Sequence, residues 1–187
     1  MRLRVLLIWI VLLLVSCMTT PQPRDKVGDS RARTGLRLAP AELGASIALQ
    51  QHLLIHRDGK TDELDTALEV DENRLQLVGL AFGQRILSLH YDGKNLTTWR
   101  HVMVPSQVRE QEILEDLQLT LWPIESIRRA LPPGWSIQDN GLERVVSLDD
   151  RIICQISYSE MPRWSGTVKL VNLRYHYDLT IQSQPDN

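Results

Sequence analysis

From residue 45 to 102 the chain alternates short apolar-polar segments with turn-forming residues, and this spacing restricts its fold more than any other feature. Segments 45–56, 64–70, 74–80, 85–91 and 96–102 read as strands. Between them lie Asp58-Gly59, Asp71-Glu72-Asn73, Ala81-Phe82-Gly83-Gln84 and Asp92-Gly93-Lys94-Asn95, which supply the polar and left-handed positions that tight turns need. Strands with turns every 8 to 12 residues or so form an antiparallel sheet of hairpins. The C-terminal part repeats the pattern. Segments 144–148 and 151–159 flank Asp149-Asp150, and Tyr175, Tyr177, Leu179 and Ile181 alternate with His176, Asp178, Thr180 and Gln182. Val168 and Leu170 keep the same period in the strand before. Each strand so read has one dry face and one wet face.

In the middle the period changes. Ile113, Leu114, Leu117 and Leu121 recur at helical spacing among Glu110, Glu112, Glu115 and Asp116, so 106–121 contains a helix whose acidic start suits its dipole. Pro123 opens a second short helix with Ile124, Ile127 and Leu131 on one face, stopped by Pro132-Pro133-Gly134. A long antiparallel sheet must cover its apolar face, and two short helices are little cover. Either the sheet curls around a helical plug and leaves an apolar groove for an acyl chain, or it packs as a filled sandwich with the same alternation. Curling makes Leu77, Leu87, Leu89, Ile124, Ile127, Trp135, Ile156, Tyr158 and Leu170 the groove candidates.

The N-terminal part has a different character. Leu14-Val15-Ser16-Cys17 closes an apolar run, 5–15, that follows Arg2 and Arg4. The run is about half of the roughly 20 residues a membrane-spanning helix needs. It resembles a bacterial lipoprotein signal. The resemblance implies removal of residues 1–16 and acylation of Cys17 on its thiol and new amine, in effect a permanent membrane anchor. Met18 in place of an aspartate implies an outer-membrane destination, so the protein is expected in the cell envelope, lipid-anchored and facing the periplasm. An uncleaved signal anchor with an incidental cysteine is the alternative. Residues 17–38 are polar and poor in apolar side chains and read as a flexible tether, leaving 39–187 as a single β domain. Loss of Arg2 and Arg4 takes the 21 basic residues to 19 against 23 acidic ones, which makes nucleic acid an unsuitable partner. With Cys17 acylated, Cys154 has no internal disulfide partner and reads as a buried, inert thiol.

The order of strands, two central helices closed by Leu-Pro, and strands again resembles the Lol-pathway periplasmic carrier and outer-membrane receptor, the LolA/LolB-like superfamily. Two segments carry the likeness: 75–89, similar to the receptor's strand, apolar-Gly turn and returning strand, and 121–132, similar to its helix ending in Leu131-Pro132. It extends over about 45–181. The chain also resembles uncharacterised bacterial lipoproteins associated with aryl-polyene gene clusters. These resemblances imply an incomplete antiparallel barrel of about 11 strands with two or three short helices as plug or lid, around an apolar cavity. They imply a carrier that binds an acyl chain or lipidated cargo, takes it from a periplasmic carrier protein and delivers it to the outer membrane. The receptor shows a leucine on a protruding turn, and Phe82 takes that position here as the membrane-insertion candidate.

Signals for chemistry are sparse. His52 and His56 stand four apart but lack a third ligand, so polar-face histidines outweigh a metal site. There is no G-x-S-x-G elbow and no glycine-rich phosphate loop, and the acidic pairs Asp71-Glu72 and Asp149-Asp150 fall in turns. Trp99, Trp122, Trp135 and Trp164 are core residues before they are groove residues. The expectation is a non-enzyme with no catalytic residue, metal or cofactor. An envelope docking or adaptor lipoprotein that binds no lipid is the competing reading.

Overall fold

Ten strands in one antiparallel sheet account for most of residues 33–185, the part of the chain that the computed structural model describes. They are β1 (Ile47–Arg57), β2 (Lys60–Val70), β3 (Leu75–Ala81), β4 (Gln84–Tyr91), β5 (Leu96–Arg100), β6 (Trp135–Asp139), β7 (Glu143–Leu148), β8 (Arg151–Tyr158), β9 (Gly166–Asn172) and β10 (Tyr177–Pro185). Between β5 and β6 come helices α1 (Glu110–Leu121) and α2 (Ile124–Ala130). The sheet order is β5-β4-β3-β2-β1-β10-β9-β8-β7-β6, so the first and last strands meet in the centre while β5 and β6 remain as open edges. The architecture is mainly β, an unclosed barrel. It holds ten strands among the described residues where the family resemblance implied about 11. The signal run, Cys17 and the tether up to residue 32 lie outside the described residues.

The helix measures the curl of the sheet. Twelve residues of α1 make a rod of about 18 Å. Near its start Glu110 faces Arg100 of β5 at 3.7 Å, and at its end Arg144 of β7 donates to the Leu119 and Thr120 carbonyls at 2.7 and 3.1 Å. Those strands lie eight spacings apart, about 38 Å along a flat sheet at ~4.8 Å each. The sheet therefore wraps around α1 as an arc around its chord. Register shifts at Gly79/Leu80 and Val146/Ser147 supply local bends of the kind that sharpen such a curl.

Strand alternation sets the inner face. Leu49, Leu68, Leu77, Leu89, Ile156, Val168 and Leu170 point inward and are buried, and Leu114 and Leu119 of α1 and Ile127 of α2 close over them. Each such side chain contributes roughly 1.5–3 kcal/mol of transfer free energy. Trp122 follows α1, has no exposed surface, and donates from its indole nitrogen to the Ala39 carbonyl at 3.0 Å.

The last residues of the expected tether behave differently from the expectation. Thr34, Leu36 and Leu38 are buried, and Leu36 and Leu38 belong to the core. Gln118 of α1 binds this strap as a neighbouring strand would: its Oε1 accepts from the Leu38 N–H at 3.2 Å and its Nε2 donates to the Leu38 carbonyl at 2.9 Å. Gly35 N–H donates to Glu115. Alternate leucines gave too short an apolar signal to stand out from the polar stretch before them, yet docking on a helix needs only one apolar side chain every second residue. The packed unit thus begins at Thr34, ahead of the expected boundary at 38/39.

Candidate functional site

Burial along the inner face divides the hollow in two. All odd-numbered strands run toward one end of the sheet, which carries the turns 58–59, 82–83, 149–150 and 173–176 and the segment after β5. This is the rim end. Away from it the hollow is filled. Among the groove candidates Leu77, Leu87, Leu89, Ile127, Ile156, Tyr158 and Leu170 are all buried, Ile127 and Leu170 with no exposed surface, so they form the core and line no open channel. Ile124 and Trp135 are half-buried against that core.

Nearer the rim the same face stays partly open. Leu53 and Ile55 of β1 continue the inward row of Leu49, and their register partners are Leu64 of β2 and Leu179 and Ile181 of β10. Leu53, Ile55, Leu64 and Leu179 are only half-buried, as are Ile113 and Leu117 of α1. A glycine shapes this zone. A side chain at Gly79 would press on Leu87 Cβ at 3.3 Å and on the Leu64 methyls at 3.5 and 3.6 Å, so its absence lets Leu64 lie down over β3. Sequence reasoning did not select Leu53, Ile55, Leu64 or Leu179, although the inward alternation of β1 from Leu49 to Ile55 was the signal that contained the first two.

Polar groups frame this apolar strip. Tyr177 of β10 donates its hydroxyl to Asp116 Oδ2 of α1, and Asn172 of β9 donates to the Tyr177 hydroxyl at 3.2 Å. Burial pushes the Asp116 carboxyl up to about 7; the Tyr177 hydrogen bond and Arg57 pull it back in part, while Glu115 and Glu112 add to the rise. Burial, then the charge of Asp116, also raises the Tyr177 phenol and, likewise, the Cys154 thiol, which is buried and inert. Arg57 closes the row that Leu53 and Ile55 begin, with Cζ 4.8 Å from the centre of the Tyr177 ring. Its Nε is buried without an acceptor.

The far end of α1 is pinned more firmly. Arg144, 1% exposed, spans the two carbonyls of the last helical turn and donates Nε to Asp139 at 3.0 Å. The Tyr158 hydroxyl donates to Thr120 O at 2.7 Å, and Arg163 holds both oxygens of Asp139. Burial alone would raise the Asp139 carboxyl, but the hydrogen bonds and charges of Arg144 and Arg163 outweigh it and hold it low. Negative ends of carbonyl dipoles thus meet a buried cation.

Exposed apolar side chains gather at the rim. Phe82 and Val102 are 93% and 94% exposed, and Trp99, Met103, Ile152 and Leu173 lie at the same end. Phe82 sits at the tip of a two-residue turn, with φ +52 and +71 for Phe82 and Gly83, the left-handed pair of a tight hairpin turn, and its exposure leaves the ring free of the core. Trp99 is covered on one side by Arg85, 4.8 Å from its ring centre. On the outer face His52 bonds Asp65 at 2.8 Å and His56 bonds Thr61 at 3.1 Å, each a cross-strand pair. Trp135 and Trp164 are packed against the core, as Trp122 is.

No curated protein matches the chain. Among solved structures it is similar to a LolA superfamily protein from Nitrosomonas europaea, at 10% identity over 82% of this chain and 91% of that one, with a TM-score of 0.43. It is also similar to a DUF1329 family protein from Desulfovibrio piger, at 10% identity over 83% and 90%, with a TM-score of 0.36. Residues 48–185, from the start of β1 to the end of β10, match the model of a family described as a protein of unknown function, and the chain belongs to that family, DUF3261.

Proposed function

We propose that this protein binds an acyl chain, free or carried by lipidated cargo, in the rim half of its hollow and delivers it to a membrane. The observation that carries the reading is the strip of Leu53, Ile55, Leu64 and Leu179, inward-facing yet half-open, beside an inner face whose leucines and isoleucines are elsewhere mostly buried. Cargo leaves water for this strip and then leaves the strip for the larger apolar volume of the bilayer, so differential affinity drives transfer with no cofactor and no covalent step. Acylation at Cys17 would hold the domain at the outer membrane, facing the periplasm, where a periplasmic carrier would supply the cargo. A stiff polyene chain of the kind made by aryl-polyene clusters suits a narrow apolar strip as palmitate does.

Lipid extraction of the full-length protein purified from membranes, followed by mass spectrometry, tests the reading. Acyl species present in stoichiometric amount support it. Their absence, together with no uptake of added palmitate, favours the adaptor reading, for which the filled half of the hollow and the open edge at β5 with exposed Trp99 speak.

Phe82 supplies a second test. An exposed ring at a turn tip suits the membrane interface and contributes little to the fold. Phe82→Glu is expected to slow acyl transfer to vesicles while changing unfolding free energy by less than about 0.5 kcal/mol. Transfer at the wild-type rate would remove Phe82 from the mechanism.

A further inference from the structure

The rim end of β1 and β2 carries a pair of cations whose hydrogen-bonding capacity the fold leaves partly unspent. Arg57 and Lys60 are register partners flanking the Asp58-Gly59 turn, so two cations stand directly opposite on the inward face. Like charges in that position destabilise a strand pair. Other inward arginines spend their donors on protein: Arg144 on Asp139 and two carbonyls, Arg100 on the Val104, Pro105 and Val108 carbonyls. Arg57 instead lies over the Tyr177 ring with Nε buried and unsatisfied. A guanidinium is a fork of N–H donors matched to oxyanions. Below it on the same strand, at about 6.8 Å for each two residues, come Ile55 and Leu53.

We infer that Arg57, aided by Lys60, is the headgroup site for an acyl ligand ending in an oxyanion, a carboxylate or a phosphate, whose tail lies along Ile55, Leu53 and Leu64. The inference rests on the acyl-binding reading and narrows it to anionic amphiphiles. Two acids face the site, Asp62 on β2 and Asp116 on α1. Asp62 is exposed to solvent; Asp116 feels the charge of Arg57 but accepts its hydrogen bond from Tyr177, which leaves the Arg57 Nε without an acceptor. A neutral alcohol head would leave the guanidinium without a matched charge.

Native mass spectrometry of the full-length protein in non-ionic detergent tests this by titration with palmitate, hexadecyl phosphate and hexadecanol. Wild type is expected to bind at least one of the two anions about tenfold more tightly than hexadecanol, the size of one charge-assisted hydrogen-bond pair. The preferred anion tells carboxylate from phosphate. Arg57→Met should bring that anion to the hexadecanol level and leave hexadecanol unchanged; Lys60→Met, at an exposed position, should give a smaller loss in the same direction and serves if Arg57→Met fails to fold. Equal binding of all three probes by wild type, or equal loss of all three in the variants, overturns the headgroup site while the acyl reading stands. Failure of wild type to bind any of them overturns both.

Discussion

Arg144→Met is expected to lower the unfolding free energy by about 3 kcal/mol, measured by urea denaturation, the lower end of what removal of one partner from a buried ion pair does. The reason lies in what remains. Methionine keeps most of the apolar stem, and Asp139 keeps both hydrogen bonds from Arg163. Thr120 O keeps the Tyr158 hydroxyl, so the Leu119 carbonyl is the acceptor left buried and unpaired. In a domain of this size that loss corresponds to a drop of about 6–12 °C in Tm. The same change frees the end of α1 that closes the hollow. A loss under about 1 kcal/mol would mean that Arg144 does not hold the helix.

The second large effect is a gain. Asp116→Asn should stabilise the protein above pH 7 by on the order of a few kcal/mol and remove most of its pH dependence between about 4 and 7. In the folded state the carboxyl sits at about 7, above its ordinary 3.8, because it is buried beside Glu115 and Glu112. Between those two values the folded protein holds a proton that the unfolded chain has released. Stability therefore falls as pH rises through that window and levels off above it. Asparagine still accepts from the Tyr177 hydroxyl and carries no charge to desolvate. Below about pH 4 the two proteins should have nearly equal stability. Urea midpoints at pH 4, 6 and 8 decide it; parallel pH profiles for wild type and variant would refute the assignment of a raised carboxyl at Asp116.

These two residues show what the sequence could and could not tell. Hairpins were readable because turn chemistry and alternation agree: Asp58-Gly59, Phe82-Gly83 and Asp149-Asp150 all sit in the turns expected of them, with positive φ at each. Helix α1 was readable from Leu114, Leu117 and Leu121, though it starts at Glu110 within the wider 106–121 segment. Strand β6 escaped notice because Trp135-Ser136-Ile137-Gln138-Asp139 offers only two apolar residues and owes its existence to pairing with β7. Tyr175 was expected in the last strand but falls in the turn before it, where Asn172 Oδ1 accepts from the Arg174 and Tyr175 N–H groups and His176 takes φ +53. Arg144, Asp116 and Arg57 carried no local signal, since each acquires its meaning from an element more than 20 residues away in sequence. For the same reason the inward alternation of Leu77, Leu87 and Leu89 could mark a face without telling whether α1 would fill the space above it.

The central claim, an acyl site along Leu53, Ile55 and Leu64 beneath α1, is tested most directly by photo-crosslinking the full-length protein with a diazirine-bearing palmitate and mapping the adducts by peptide mass spectrometry. The account predicts labels on Leu53, Ile55, Leu64, Leu117 or Leu179, suppressed by excess unlabelled palmitate. Labels confined to exposed Phe82, Trp99 and Val102, or undiminished by that excess, would contradict it.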